Sequence, residues 1–216
     1  MARDTVILVL SPIFVILVHE LGHLAAARMY GVQVFCISIG FGPAIFGFTD
    51  RFGTRWRLAL LPVGGSCRLE EGVPDTRVIA ISKKQPHAKG MPLREWARRT
   101  AIIYAAGPLS NFVLATAIYF GTFMYFGEAN PWSIEVFKTD AALFMLVGGL
   151  SMCVGLFNLV PLPPLDGGRL LLIGLEAFRR APVSEAIQRR LSVIGLGVVL
   201  ATTVAAILTL IFEYLA

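Results

Sequence analysis

Near the start of the chain stands His19-Glu20-Leu21-Gly22-His23. On a helix, positions i and i+4 lie about 40° apart around the axis and about 6 Å along it, so both imidazoles reach one metal ion. This is the H-E-x-x-H arrangement, in which two histidines bind zinc and the intervening glutamate serves as general base. Its setting sharpens the reading. The motif lies inside an almost wholly apolar stretch, residues 5–27, where each ionised group costs several kcal/mol and marks a functional position by default. The competing reading is a polar cluster that ties helices together. His87, the only other histidine, lies in a charged stretch and reads as a surface residue.

A catalytic zinc takes three protein ligands and leaves one position open. The best candidate for the third is Asp166, in Pro161-Leu162-Pro163-Pro164-Leu165-Asp166-Gly167-Gly168. On the residues alone, Asp166 is equally a helix cap at a membrane boundary. The two glycines permit tight turns or close helix approach, and the three prolines must interrupt any helix running through them.

The elements that would position these residues are membrane spans. Hydrophobic residues make up 56% of the 216-residue chain and charged residues 15%, against about half and a quarter in soluble domains. The mean hydropathy of +0.72 and the blockwise apolar pattern exclude a soluble globular enzyme and a disordered chain. Four blocks, about 5–27, 101–126, 141–165 and 191–212, each approach the ~20 residues needed to cross a bilayer. Lys and Arg crowd residues 28–100 and 169–190, whereas the outer connection 127–140 holds only Lys138. The positive-inside rule places the two basic segments in the cytoplasm and both termini outside. The net charge of +5 is then a topogenic signal, and no nucleic-acid partner is expected. Three scattered cysteines, Cys36, Cys67 and Cys153, exclude a disulfide framework and a cysteine zinc cluster.

Between the first two spans the pattern changes. Residues 32–39 and 56–61 read as strands, with 66–69 as a further short one, among turn residues Gly40, Gly42, Pro43, Gly53, Pro62, Gly64 and Gly65. Residues 71–91 are polar and charged, and Pro92 opens an interfacial helix carrying Trp96. The expected fold is therefore an all-α polytopic membrane protein of four transmembrane helices with a small membrane-associated β-hairpin or sheet at about 32–70. A cytoplasmic and interfacial segment covers 71–100, and the whole chain forms one domain.

These stretches together resemble the site-2 proteases, a family of intramembrane zinc metalloproteases, and most of all its bacterial envelope-stress branch. The resemblance rests on His19-Glu20-Leu21-Gly22-His23, Gly40-Phe41-Gly42-Pro43, Leu61-Pro62-Val63-Gly64-Gly65, Ala105-Ala106-Gly107-Pro108-Leu109-Ser110-Asn111-Phe112 and Asn158-Leu159-Val160-Pro161-Leu162-Pro163-Pro164-Leu165-Asp166-Gly167-Gly168. It implies that His19, His23 and Asp166 bind zinc and that Glu20 activates water. It also implies that the β-rich region re-enters the membrane. There an unpaired edge could take up an extended substrate, and residues 63–69 with Gly64 and Gly65 are the candidate edge. This chain has Gly64-Gly65-Ser66-Cys67 where family members often carry Gly-Gly-Tyr-Val. Asn111 and Asn158 are candidates for holding substrate or the developing oxyanion, or else for joining helices. PDZ domains usual in that branch do not fit the 127–140 linker, which is far shorter than the ~50 residues a small domain needs.

The resulting expectation is a zinc endopeptidase of the bacterial inner membrane, with its site toward the cytoplasm. It would act on transmembrane proteins or peptides such as anti-sigma factors or signal-peptide remnants. Two other classes are weighed against it. A membrane-anchored peptidase for soluble or misfolded chains would carry its motif outside the bilayer. A metal transporter or non-catalytic scaffold is the other, and a transporter would need ionisable residues in spans two and four.

Overall fold

The computed structural model describes residues 2–68, 92–126, 140–181 and 183–215. Five helices and two strands follow one another as α1 (Ala2–Met29), β1 (Cys36–Thr49), β2 (Arg55–Arg68), α2 (Leu93–Phe126), α3 (Asp140–Asn158), α4 (Asp166–Arg179) and α5 (Glu185–Leu215). Among the described residues three helical stretches, Leu10–Met29, Leu93–Tyr125 and Ala186–Ala205, are long and apolar enough to cross a membrane, and a shorter apolar helix covers Ala142–Asn158. The mostly helical architecture with a small sheet agrees with expectation. His87, most of the 71–100 segment and the 127–139 connection lie outside the described residues.

Helix α1 stops where the chain dictates. Gly31 takes a left-handed φ of 68°. The Val32 amide reaches back to the Ala27 carbonyl at 2.9 Å and the Gly31 amide to Arg28 at 3.0 Å. These two bonds form a Schellman cap, which satisfies carbonyls that a helix end leaves unpaired. Helices α1, α2 and α3 pack on one another, α4 packs on α2, and β2 lies against α1. Leu24, Ala27, Val34, Ile37, Cys67, Ile103, Tyr104 and Ile173 fill the space where α1, the sheet, α2 and α4 meet. Outward positions are apolar as well, among them Val113, Phe120 and Phe123 on α2 and Val193, Ile194 and Val198 on α5. Apolar outer faces of this extent suit lipid rather than water.

The third apolar block corrects one boundary. The block is expected to reach about residue 165 with its prolines interrupting the helix, and the helix ends at Asn158. Residues 159–165 form an irregular crossing, and α4 restarts at Asp166. Pro161, Pro163 and Pro164 cannot supply the backbone donors a helix needs. Conversely, α2 absorbs the interfacial helix opened by Pro92 and runs unbroken into the second apolar block.

The sheet shifts another. The first strand begins at Cys36 rather than Val32 and continues to Thr49, through Gly40, Gly42 and Pro43, expected as turn residues. Gly40 and Gly42 adopt φ of 88° and 95°. Glycine enters that region without penalty, so the chain bends while keeping its pairing. Residues 44–49 pair antiparallel with 55–59, matching Thr49 with Arg55 and Phe48 with Trp56. Residues 36–39 run parallel to 55–58 on the other side and antiparallel to 65–68, matching Ile37 with Cys67 and Ile39 with Gly65. Among the described residues the segments therefore lie in the order 44–49, 55–59, 36–39, 65–68, with 65–68 at one margin.

The turn between β1 and β2 is organised by Asp50. Its carboxylate accepts the Phe52 and Thr54 amides at 2.9 and 3.0 Å, the Trp56 indole at 3.1 Å and Arg28 of α1 at 2.8 Å. Desolvation would raise the Asp50 carboxyl, but these donors hold it down at about 2. The contribution is complete above the usual aspartate value near 3.9 and is lost as pH falls through about 2. Asp50→Ala should expose Arg51 and Arg55 to trypsin about fivefold faster, corresponding to about 1 kcal/mol of local opening. Cleavage at the wild-type rate would mean that strand pairing alone holds the turn.

Candidate active site

Helix α1 presents His19, Glu20 and His23 at the packed centre of the bundle, all nearly inaccessible to solvent. Asp166, the first residue of α4, is brought to the same place by the irregular crossing. Gly167 and Gly168 make that possible. A Cβ on Gly167 would collide with the Leu159 carbonyl, and one on Gly168 with the Pro163 nitrogen. The pair lets α4 begin flush against residues 159–163 and aims Asp166 at the histidines.

The donor atoms form a tight triangle. His19 Nε2 and His23 Nε2 lie 3.2 Å apart, and Asp166 Oδ2 lies 3.0 Å from the first and 3.3 Å from the second. Ligands about 2.0–2.1 Å from one tetrahedral zinc stand about 3.3–3.4 Å from each other, so the triangle fits that ion. Three lone-pair atoms converging in a buried space repel one another unless a cation lies between them. Asp166 Oδ2 is buried with no hydrogen bond to either ring, as expected of an oxygen directed at a metal. His19, His23 and Asp166 form the one candidate metal-binding group among the described residues.

Helix α2 closes the other side. Its Ile103 carbonyl accepts the His23 Nδ1 proton at 2.7 Å, leaving the Nε2 lone pair for the triangle. Gly107 lies directly over the two rings. A Cβ there would collide with His23 Nε2 and come within 2.9 Å of His19 Cε1, so the missing side chain is space that an ion can use. Gly22 in turn admits α2 to α1, since a Cβ would strike the Ala106 carbonyl. The Ser110 hydroxyl lies 2.9 Å from the Val18 carbonyl across the same seam.

Glu20 is not part of the triangle. One carboxylate oxygen, Oε2, is buried with no hydrogen-bond partner among the described residues. The other faces Gly65, where a Cβ would overlap Oε1. Glycine at 65 therefore lets the marginal sheet segment lie directly on the glutamate. Gly64 takes a φ of 85° and bends β2 just before it.

The remaining candidates fall in different places. Asn111 is fully buried on α2 with its side-chain amide 3.2 Å from His19 Nδ1, and its backbone carbonyl accepts the Ser151 hydroxyl of α3. Asn158 ends α3 and donates to the Val154 carbonyl of its own preceding turn at 3.0 Å. Gly107 and the Ile103 carbonyl had no role assigned from sequence. A Gly-Pro pair inside an apolar span was the available signal for Gly107, and a backbone carbonyl leaves none.

The model of peptidase family M50 matches residues 6–142 and 134–202. The chain belongs to that family. Among its relatives, a zinc metalloprotease so named from Rhizobium meliloti is 36% identical over 120 residues, covering 53% of this chain and 32% of that protein. The Regulator of sigma-E protease RseP of Salmonella typhimurium is 38% identical over 132 residues, covering 55% of this chain and 27% of its own length. The chain thus spans about a third of the length of these curated relatives. The fold is similar to that of a site-2 protease from Methanocaldococcus jannaschii, with a TM-score of 0.55 at 20% identity, over 94% of this chain and 68% of that one. The M50 membership and the apolar helices mark the chain as an integral membrane member of that family.

Proposed function

We propose that this chain is a zinc endopeptidase that hydrolyses peptide bonds in or beside the membrane spans of other proteins. One observation carries the reading: a buried triangle of His19, His23 and Asp166 adjoins an unpartnered Glu20 oxygen, with the marginal sheet segment 65–68 laid against that glutamate. When bound, zinc supplies Lewis acidity, lowering the pKa of water toward ~7 and polarising a carbonyl. The protein does the rest. Glu20 takes the proton of the attacking water and passes it to the leaving amine.

A helical substrate hides its peptide bonds, so it must first become extended. Among the described residues no strand pairs with the outer side of 65–68; a substrate paired there would be held extended beside Glu20, with Gly64 and Gly65 leaving room for its backbone. Asn158, at the mouth of the 159–165 crossing, is the candidate polar contact to that strand. His19 falls well within the Leu10–Met29 apolar stretch, which favours this reading over a peptidase for soluble chains. The Lys and Arg pattern supports a site toward the cytoplasmic side of a bacterial inner membrane. The Salmonella relative is named a regulator of sigma-E, which is in keeping with anti-sigma factors as one proposed substrate class.

The test uses the purified chain in detergent and a reporter with a membrane-derived span. Chelation should abolish cleavage and added zinc should restore it. Asp166→Ala should lower zinc occupancy at limiting free zinc by at least tenfold while α-helix content is kept. Full zinc stoichiometry in that variant would remove Asp166 from the ligand set, and cleavage that survives chelation would exclude metal hydrolysis altogether.

A further inference from the structure

The two histidines are oriented from one helix, and only one of the two contacts is a fixed acceptor. His23 gives its Nδ1 proton to the Ile103 carbonyl at 2.7 Å. His19 turns Nε2 to the triangle and Nδ1 to the Asn111 side chain at 3.2 Å. A neutral imidazole has one donor and one acceptor nitrogen. If Nε2 offers its lone pair to the metal, Nδ1 carries the proton and requires an acceptor. The amide nitrogen of Asn111 is drawn toward the ring, but oxygen and nitrogen of a carboxamide are distinguished only by their network. A protonated Nδ1 demands the oxygen.

We infer that Asn111 is the positioning residue of the metal site: its Oδ1 accepts the His19 Nδ1 proton and fixes His19 as a ligand through Nε2. This rests on the reading that His19, His23 and Asp166 hold zinc, and it replaces the substrate-contact role for Asn111. Three observations support it. Asn111 is fully buried, so it is closed to a substrate strand. Its backbone is held by Ser151 at 2.9 Å, which sets where the amide stands. Ile103 and Asn111 lie on one helix and face His23 and His19 respectively, so α2 supplies one acceptor to each ring. Partners of this kind set ring tautomer and ligand basicity, and losing one typically weakens metal binding about 10–100-fold.

The experiment measures zinc affinity by chelator competition, and the visible spectrum of the cobalt-substituted protein, for the full chain in detergent. Asn111→Leu removes the acceptor at similar volume and should weaken zinc about 10–100-fold and shift the cobalt bands. Asn111→Asp, an acceptor with no donor, should bind zinc at least as tightly as wild type and keep the wild-type cobalt spectrum. At saturating zinc, Asn111→Leu should lose kcat with KM nearly unchanged. Wild-type zinc affinity in Asn111→Leu would overturn the proposal, as would a rise in KM alone, which marks a substrate contact. Equal zinc loss in Asn111→Asp and Asn111→Leu would also overturn it, since the amide would then be needed as a donor. His19→Ala serves as the reference: if it too retained zinc, the ligand assignment itself would fail, a different result from failure of the Asn111 role alone.

Discussion

Glu20→Gln should purify with a full complement of zinc and cleave a membrane-span reporter about 10²–10⁴-fold more slowly than wild type. The two halves of the result test different things. Zinc is retained because the triangle of donors does not include Glu20. The glutamine is the same size as the glutamate, so it still fits the slot left by Gly65. What it lacks is a basic oxygen in the place of Oε2, the buried atom with no hydrogen-bond partner. Metal content by atomic emission and turnover on one substrate measure the two halves. Residual turnover above about a tenth of wild type would show that another group moves the proton.

Gly107→Ala should cost the protein its metal although it adds a single methyl group far from any exposed surface. That methyl would overlap His23 Nε2 and press on His19 Cε1, entering the space on which the donors converge. Overpacking of this sort costs about 1–3 kcal/mol where the surroundings cannot yield. Here the neighbours are a ring fixed by the Ile103 carbonyl and a helix held close at Gly22. Zinc affinity should fall at least 30-fold, with cleavage lost in proportion. Gly121→Ala on the same helix is the control, because its Cβ would meet nothing within 4 Å and helical glycine to alanine is ordinarily favourable. Equal zinc affinity in wild type and Gly107→Ala would show that α2 moves aside and that the space above the rings is not confined.

The parts of this site that sequence discloses are those set by local spacing. His19 and His23 share a helix face because of the helical period, and Glu20 follows from its place between them. Asp166 is legible at one remove, since the charge pattern puts it and the histidine pair at similar depth. The role of Gly107 depends on how near α2 comes to α1, a distance decided by Gly22, Ala106 and Ser110 together. No periodicity reports it. The sheet is expected from sequence, but the length of its first strand is not legible, for a related reason. Gly40 and Gly42 look like turn residues, yet here they bend a strand without ending it. Whether 41–49 is loop or strand is decided by pairing with 55–59, a contact whose register is not written in either segment alone. The end of α3 at Asn158 illustrates the same limit: the prolines fix that a break occurs, while the glycine contacts at 167 and 168 fix where the helix resumes.

The order in which the site residues leave the ribosome gives Asp166 a further meaning. The chain is made from its N-terminus, so His19, Glu20 and His23 are synthesised first, and α2 with its acceptors follows. The third donor belongs to α4 and emerges only after α3 and the proline crossing have been made. Until then a nascent chain holds two imidazoles and a base but no carboxylate to complete the set. In the proposed metal site the full donor set therefore exists only once α4 has been made and has packed beside α2, so the last ligand to arrive is also the one that depends most on tertiary packing.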